Sequence, residues 1–299
     1  MTHPRGPHRP ARPTRKLRTS AARSLAAVLL VLACSAAPAA NPLIEGLDHV
    51  PVAVADLDRA AADFSRLGFV IKPGRPHEDG IQNRHIKFPN GGEIELITAR
   101  SSHDALSSEY VEWLRTGDGP AFWGLYSPDP ESLTALLDKL QLAPHREGGL
   151  VTWSGTQSHR LFFGNRQRSP TDGPAYWAHP NTAYKLRAVW LSAAGDERGL
   201  LTALGGNLAE ESGCAPFDSH AKGVILPGDG DEVFVTSRVR QTPPRSIIGV
   251  TLLVKDIGAA RRVLEHGDIP YVSAGSCAGS QSLWIQPSHA HNLWLELRQ

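Results

Sequence analysis

One pattern recurs four times along this chain, and it limits the possible folds more than any other feature. Residues 47–54, Leu-Asp-His-Val-Pro-Val-Ala-Val, alternate as a strand does. Asp56 then offers an N-cap, and Leu57, Ala60, Ala61, Phe64 and Leu67 follow at helical spacing. Gly68 ends that helix, and residues 69–71 begin a second strand. Two further apolar runs, 84–88 and 93–97, flank Pro89-Asn90-Gly91-Gly92, where Asn-Gly marks a hairpin turn. The unit reads β-α-β-β-β.

The second copy opens at residues 121–126. Asp129-Pro130 caps its helix, with proline at the first helical position, where a missing N–H costs little. Leu133, Leu136, Leu137 and Leu140 form the apolar stripe, and residues 150–153 and 160–163 supply strands. A third copy opens at 186–191 and runs through a helix carrying Leu200, Leu201 and Leu204, closed by Gly205-Gly206, to strands at 223–226 and 232–236. The fourth opens at 247–254, is capped by Asp256, places Ala260, Val263 and Leu264 on the inner helix face, and ends in strands at 282–285 and 292–297. The openings recur at intervals of roughly 60–75 residues. His49 through Asp56 lies directly over Gly249 through Asp256. The pattern predicts an α+β protein of tandem βαβββ modules, with joints near 116–120, 178–186 and 240–246. Two modules pair into a domain over 44–182, and two into a domain over 183–299.

With 299 residues, 41% of them apolar, the chain can bury a real core. Its formal net charge of +1 leaves no electrostatic footprint for nucleic acid or an acidic membrane. The first forty residues differ in character. Arg5, Arg9, Arg12, Arg15, Lys16, Arg18 and Arg23 precede an apolar run over 25–33 and small residues through Ala40. That order describes a secretory signal over 1–40, and the run is well short of the roughly twenty residues a permanent span needs. Export to the periplasm or cell envelope is therefore expected. Val31-Leu32-Ala33-Cys34 resembles a bacterial lipobox, which would lipid-anchor the protein at Cys34; ordinary cleavage near Ala39 or Ala40 would discard that cysteine. Membrane contact is expected only through the signal or such an anchor. Cys214 and Cys277 remain, in a compartment that permits disulfides, and their pairing is a question of distance.

Several stretches together resemble the vicinal oxygen chelate superfamily, and within it the glyoxalase-like domain branch of the glyoxalase/bleomycin resistance/dioxygenase type. They are Leu47-Asp48-His49-Val50, Asp56-Leu57-Asp58, Leu67-Gly68-Phe69, the Asn83 loop, residues 93–97, and His179-Pro180-Asn181. The resemblance implies that paired modules curl into half-barrels, two of them here, with metal ligands pointing inward from the first and last strands. His49 and Glu95 stand at those positions in the first module and would hold a divalent ion such as Zn, Mn, Ni or Fe. Such an ion would polarise vicinal oxygens of a substrate. The second module has Phe122 and Asn165 at the matching places, the third has Ala188 and the fourth Gly249, while Glu296 alone repeats Glu95. His77 and Gln82 are candidates to complete a site with His49 and Glu95.

Candidate substrate contacts are His77, Asn83, Trp153 and Asn181. Each has a plainer reading: a lone strand histidine is often a hydrogen-bonded core residue, asparagine forms turns, and tryptophan fills cores. His289-Ala-His291 is either a second metal site or a polar hairpin beside Pro287 and Ser288. No phosphate-cradling glycine loop and no nucleophile elbow occurs. Two functions stay open, because this fold serves several. One is a metal-dependent lyase, isomerase or dioxygenase acting on a small oxygenated molecule in the first two modules. The other is a non-catalytic protein of the same fold that binds or sequesters a small molecule. Either takes a small-molecule ligand, as monomer or homodimer, and modules three and four are expected to be structural.

Overall fold

Why each module adopts its shape is visible at its first helix. In the first module β1 (His49–Ala53) leads into α1 (Leu57–Arg66) through Asp56, whose carboxylate accepts the Arg59 N–H at 2.9 Å. A cap of this kind contributes about 1 kcal/mol. Leu57, Ala60 and Phe64 turn one face of α1 inward. The computed structural model describes residues 42–75, 77, 80–153, 160–166, 168–192, 197–236, 245–274 and 280–299, with backbone alone for 197, 210–214, 218–220 and 274. Residues 1–41, where the signal and Cys34 are expected, lie outside the described residues, as does Cys277.

The first module continues with β2 (Lys72–Pro73), β3 (Ile81–Lys87) and β4 (Glu93–Ala99). Between β3 and β4 the Asn90 side chain accepts the Gly92 N–H at 3.1 Å, and Gly91 takes the left-handed conformation that the turn requires, φ 91°. An insertion follows. Residues 100–120, of which the sequence pattern marks only a joint, form α2 (Ala105–Leu114) and β5 (Gly119–Pro120). Asp104 and Ser107 cap α2 reciprocally.

The second module runs β6 (Trp123–Tyr126), α3 (Pro130–Lys139), β7 (Pro144–Glu147), β8 (Leu150–Trp153) and β9 (Leu161–Gly164). The third runs β10 (Ala183–Ser192), α4 (Glu197–Ala203), β11 (Asn207–Ala215), β12 (Asp218–Ile225) and β13 (Glu232–Thr236). The fourth runs β14 (Ile247–Val254), α5 (Ile257–His266), β15 (Tyr271–Ala274), β16 (Ser282–Ile285) and β17 (Trp294–Arg298). In all four modules the first strand pairs parallel with the last: β1 with β4, β6 with β9, β10 with β13, and β14 with β17.

Modules three and four share one sheet of order β11-β12-β13-β10-β14-β17-β16-β15, joined at its centre by the antiparallel pair β10 and β14. Modules one and two form sheets of order β2-β3-β4-β1-β5 and β6-β9-β8-β7. The chain just before β1 joins them: Glu45 N–H donates to Tyr126 O at 2.8 Å and Asp48 N–H to Gly124 O at 2.8 Å. The fold is α+β, built of tandem βαβββ modules.

The helices α1, α3, α4 and α5 pack on one side of these sheets, and α2 packs on the other through Tyr110. The core on the first side includes Phe64 of α1, Leu133 of α3, Leu201 of α4 and Leu264 of α5 and is continuous across both halves. Each large side chain buried in it contributes roughly 1.5–3 kcal/mol. The opposite sheet faces carry two separate clusters, around Phe122 and Phe162 in the first half and around Trp190 and Trp284 in the second.

Candidate functional site

The pleat decides which side chains leave the helix-side core. On β1, Val50 and Val52 belong to that core, so His49, Pro51 and Ala53 point to the other face. On β4, Ile94 and Leu96 are core residues, and Glu93, Glu95, Ile97 and Ala99 share the open face. Register then sets Glu95 beside Pro51 on one side and opposite His85 on the other, with Asn83 opposite Ile97. His77 reaches the same place from the loop after β2.

Four of the six residues expected at the site therefore meet. His49 Nε2 lies 3.7 Å from Glu95 Oε2. Asn83 Nδ2 donates to Glu95 Oε1 at 2.7 Å and lies 3.3 Å from His77 Nε2. The amide orientation follows, because only the NH2 end can face a carboxylate. The side chains of His49 and Glu95 are 19% and 12% exposed, so a ligand can reach both.

Three neighbours that the sequence reading did not single out shape this pair. Asp48 hydrogen-bonds His49 Nδ1 and, with its other oxygen, accepts the Arg166 N–H at 2.8 Å. Phe162 lays its ring against the imidazole, centroids 4.6 Å apart. Glu93 binds Lys87 and lies 3.4 Å from His85. Two glycines make the room: a Cβ on Gly164 would fall 2.6 Å from Asp48 Oδ2, and one on Gly124 would fall 2.4 Å from the Phe162 ring.

Electrostatics follow from this packing. Burial works to discharge His49, but the hydrogen bond that its Nδ1–H donates to Asp48 and the charges of Asp48, Glu93 and Glu95 outweigh it and raise its pKa to about 9. Burial likewise opposes the Glu93 charge, and the His85 hydrogen bond with the charges of His49, Lys87 and His85 overcomes it, to about 2. Tyr110 is pushed well above its ordinary value by burial and by the carboxylates of Glu95 and Glu109. With its pKa so raised, His49 keeps a proton on Nε2 beside the Glu95 carboxyl, and the pair can donate to one ligand oxygen and accept from a hydroxyl.

The donor chemistry tests whether the residues fit a resident ion. Nε2 of His49 and Oε2 of Glu95 face one another as two ligands would. The remaining positions fail. Gly124 pairs with Phe162 in the register in which Pro51 pairs with Glu95, so the counterpart of Glu95 in the second module is Phe162 rather than Asn165. Phe122 holds the place of His49, and Phe162 occupies the space beside the imidazole. Among the described residues no group of three or more His, Cys, Asp or Glu is placed to hold a metal ion. Taken among the described residues, the set does not fit an ion held wholly by the protein.

Trp153 and Asn181 lie elsewhere. Trp153 packs with Phe163, centroids 5.6 Å apart, in the helix-side core, because the β8 pleat sends Val151 and Trp153 inward together. Asn181 is fully buried at the joint between the halves: its Nδ2 donates to Leu67 O at 2.9 Å and its Oδ1 accepts the Ala183 N–H at 3.0 Å. His179 serves the same joint, with Nδ1 accepting the Val70 N–H and Nε2 donating to Lys87 O, both at 3.0 Å. His289 lies in a short 3-10 turn, while His291 is half-buried with Asp118 2.7 Å from Nδ1 and Asp63 3.3 Å from Nε2. Carboxylates on opposite ring nitrogens make a polar clasp rather than a chelate.

Residues 47–198, half of the chain, match the model of the glyoxalase-like domain. The chain belongs to the glyoxalase-like domain family. Solved structures agree on the fold. A variant of homoprotocatechuate 2,3-dioxygenase from B. fuscum superposes with a TM-score of 0.61 at 11% identity, covering 86% of this chain and 72% of that one. A mutant of 4-hydroxymandelate synthase from Streptomyces coelicolor gives 0.59 at 16%, covering 86% and 92%. A xylose isomerase-like TIM barrel/4-hydroxyphenylpyruvate dioxygenase fusion protein gives 0.60 at 10% and covers 86% of this chain, which spans 49% of that longer one. No curated protein matches the chain. At such identities the likeness concerns the fold, and glyoxalase-like proteins share that fold across different chemistries.

Proposed function

We propose that this glyoxalase-like protein binds a small oxygen-bearing molecule on the open face of its first half, over His49 and Glu95, without an ion held by the protein alone. One observation carries the reading: His49 Nε2 and Glu95 Oε2 stand 3.7 Å apart on a reachable face, beside the flat apolar wall of Phe162. A carbonyl or carboxylate oxygen takes the proton of His49 Nε2 as a hydrogen bond, and a neighbouring hydroxyl donates to Glu95. Phe162 stacks on a ring. The similar structures are named for homoprotocatechuate, 4-hydroxymandelate and 4-hydroxyphenylpyruvate, which are oxygenated aromatic compounds and so a rational first panel. The basic and apolar segments of the first forty residues support a reading in which the protein is exported and meets its ligand in the cell envelope.

A second reading, a metal-dependent lyase, isomerase or dioxygenase, is favoured by one feature. Asp48 fixes Nδ1 and leaves Nε2 aimed at Glu95, as the outer-shell carboxylate of a metal-bound histidine does. A thermal-shift screen of the full chain against hydroxy and oxo aromatic acids separates the two. Stabilisation in the presence of EDTA that disappears in Glu95→Ala supports ligand binding by the pair itself. Stabilisation that requires added metal overturns it in favour of the metalloenzyme.

A further inference from the structure

The two halves present equivalent open faces with different contents. In the second half the strands send Trp190 of β10, Phe234 of β13 and Trp284 of β16 to that face. Trp190 stacks on Phe234 with centroids 4.3 Å apart and meets Trp284 edge-on at 5.4 Å. Beneath them, Glu296 pairs with Thr251 in the register in which Glu95 pairs with Pro51. Its carboxyl is 4% exposed and accepts from Ser282 Oγ at 2.5 Å and from Thr251 Oγ1, which itself accepts the Trp190 indole N–H at 2.8 Å. The position that holds a reachable carboxylate in the first half thus holds a satisfied, buried one here, and the face above it is aromatic.

That face is closed by a residue that is not part of any strand. β11 and β12 are joined by the two-residue turn Pro216-Phe217, in which Ala215 pairs with Asp218. The Phe217 ring inserts between Trp190, Trp284 and Trp294, with centroids 5.5, 5.5 and 5.3 Å away. Yet Phe217 stays partly exposed, whereas Trp190 and Trp284 are 1% and 0% exposed. A ring delivered by a turn from the solvent side, onto a face made by strands, occupies the space a flat ligand would take. The Trp284 Nε1 adds a second, independent sign. It is buried, and it has no hydrogen-bond partner among the described residues. A buried donor left unpaired costs about 1–3 kcal/mol, and a phenyl ring over it supplies no oxygen to accept the proton.

We propose that the open face of the second half is a second ligand site, suited to a flat aromatic molecule bearing a hydrogen-bond acceptor, and that Phe217 is the plug such a ring displaces. Offset and edge-to-face contacts with Trp190 and Trp294 hold the ring, and the acceptor takes up the Trp284 N–H. The site stands on its own residues and does not depend on the ligand proposed for the first half.

The test uses tryptophan fluorescence of the full chain titrated with acetophenone and with α-methylstyrene, which has the same shape but no carbonyl oxygen. One hydrogen bond of about 1 kcal/mol corresponds to roughly a fivefold preference for acetophenone. The proposal expects that preference in the natural chain, its loss in Trp284→Phe, and tighter binding of both probes in Phe217→Ala, where the competing ring is gone. Phe217→Leu, which keeps an apolar side chain on the turn, serves where the alanine variant fails to fold and is expected to tighten binding less. Absence of saturable binding in both the natural chain and the folded Phe217 variant overturns the proposal. Equal affinity for the two probes, unchanged by Trp284→Phe, also overturns it and leaves Phe217 as core packing. Repeating the titration in His49→Ala keeps the two halves distinct, since loss of the first site leaves this binding unchanged.

Discussion

Asp48 holds Nδ1 of His49, and the constraint fixes what the rest of the ring can do. With that nitrogen occupied, Nε2 is presented to Glu95 across 3.7 Å, and the imidazole stays charged well above its ordinary pKa. Neighbours in sequence rarely face one another on a strand. Here the pair meets because Asp48 lies just before β1, where the chain already hydrogen-bonds to Gly124 of β6.

Asp48→Asn tests this directly. The substitution keeps the shape and removes the charge, so the His49 pKa falls from about 9 toward its ordinary 6.5. A histidine-resolved NMR titration reads the value. An unchanged pKa would show that Glu93 and Glu95, not Asp48, hold the proton.

Gly164→Ala reaches the same contact from the other side. Its new methyl group would sit 2.6 Å from Asp48 Oδ2, so the carboxylate must shift. Lower thermal stability and a His49 pKa reduced in the same direction as in Asp48→Asn are expected; an identical titration curve would place Asp48 elsewhere.

Stability should depend on pH in two separate windows. His49 has a raised folded-state pKa, so its contribution is complete below 6.5 and is lost as pH rises through about 9. Glu93 has a depressed one, so its contribution is complete above 4.5 and is lost as pH falls through about 2. Each window is on the order of 3 kcal/mol by linkage. Urea denaturation across the pH range should show both slopes, with the alkaline one flattened in Asp48→Asn.

Asn181→Ala should cost stability and spare ligand binding. It leaves the buried Leu67 carbonyl and the Ala183 N–H without their side-chain partner, a loss of about 2–4 kcal/mol in urea denaturation. A selective loss of ligand affinity at unchanged stability would return Asn181 to the binding site.

Much of the fold was legible because its signals are local. Asp56, Asp129 and Asp256 each cap the helix expected of them, accepting an N–H at 2.9, 3.0 and 2.9 Å. The family resemblance pairs His49 with Glu95, and alternation on β1 and β4 is consistent with it, whereas the places of Asn83 and His77 follow from strand register and a loop that no local pattern encodes. Trp153 was misplaced because Leu150-Val-Thr-Trp153 carries apolar residues on both faces, and alternation then cannot say which face is core. α2 was invisible since its apolar residues follow no clear helical stripe and its cap uses Ser107 in place of a glutamate or glutamine. The roles of Arg166 and Phe162 depend on contacts more than a hundred residues apart in the chain, which no local pattern encodes.

The central claim is that His49 and Glu95 bind an oxygenated molecule themselves. Calorimetric titration of the full chain with 4-hydroxyphenylpyruvate, run with and without EDTA and repeated in Glu95→Ala, tests it most directly. The account predicts saturable binding that EDTA leaves intact and that weakens at least tenfold in the variant, a loss of about 1.4 kcal/mol. Binding abolished by EDTA and restored by a divalent metal would contradict it.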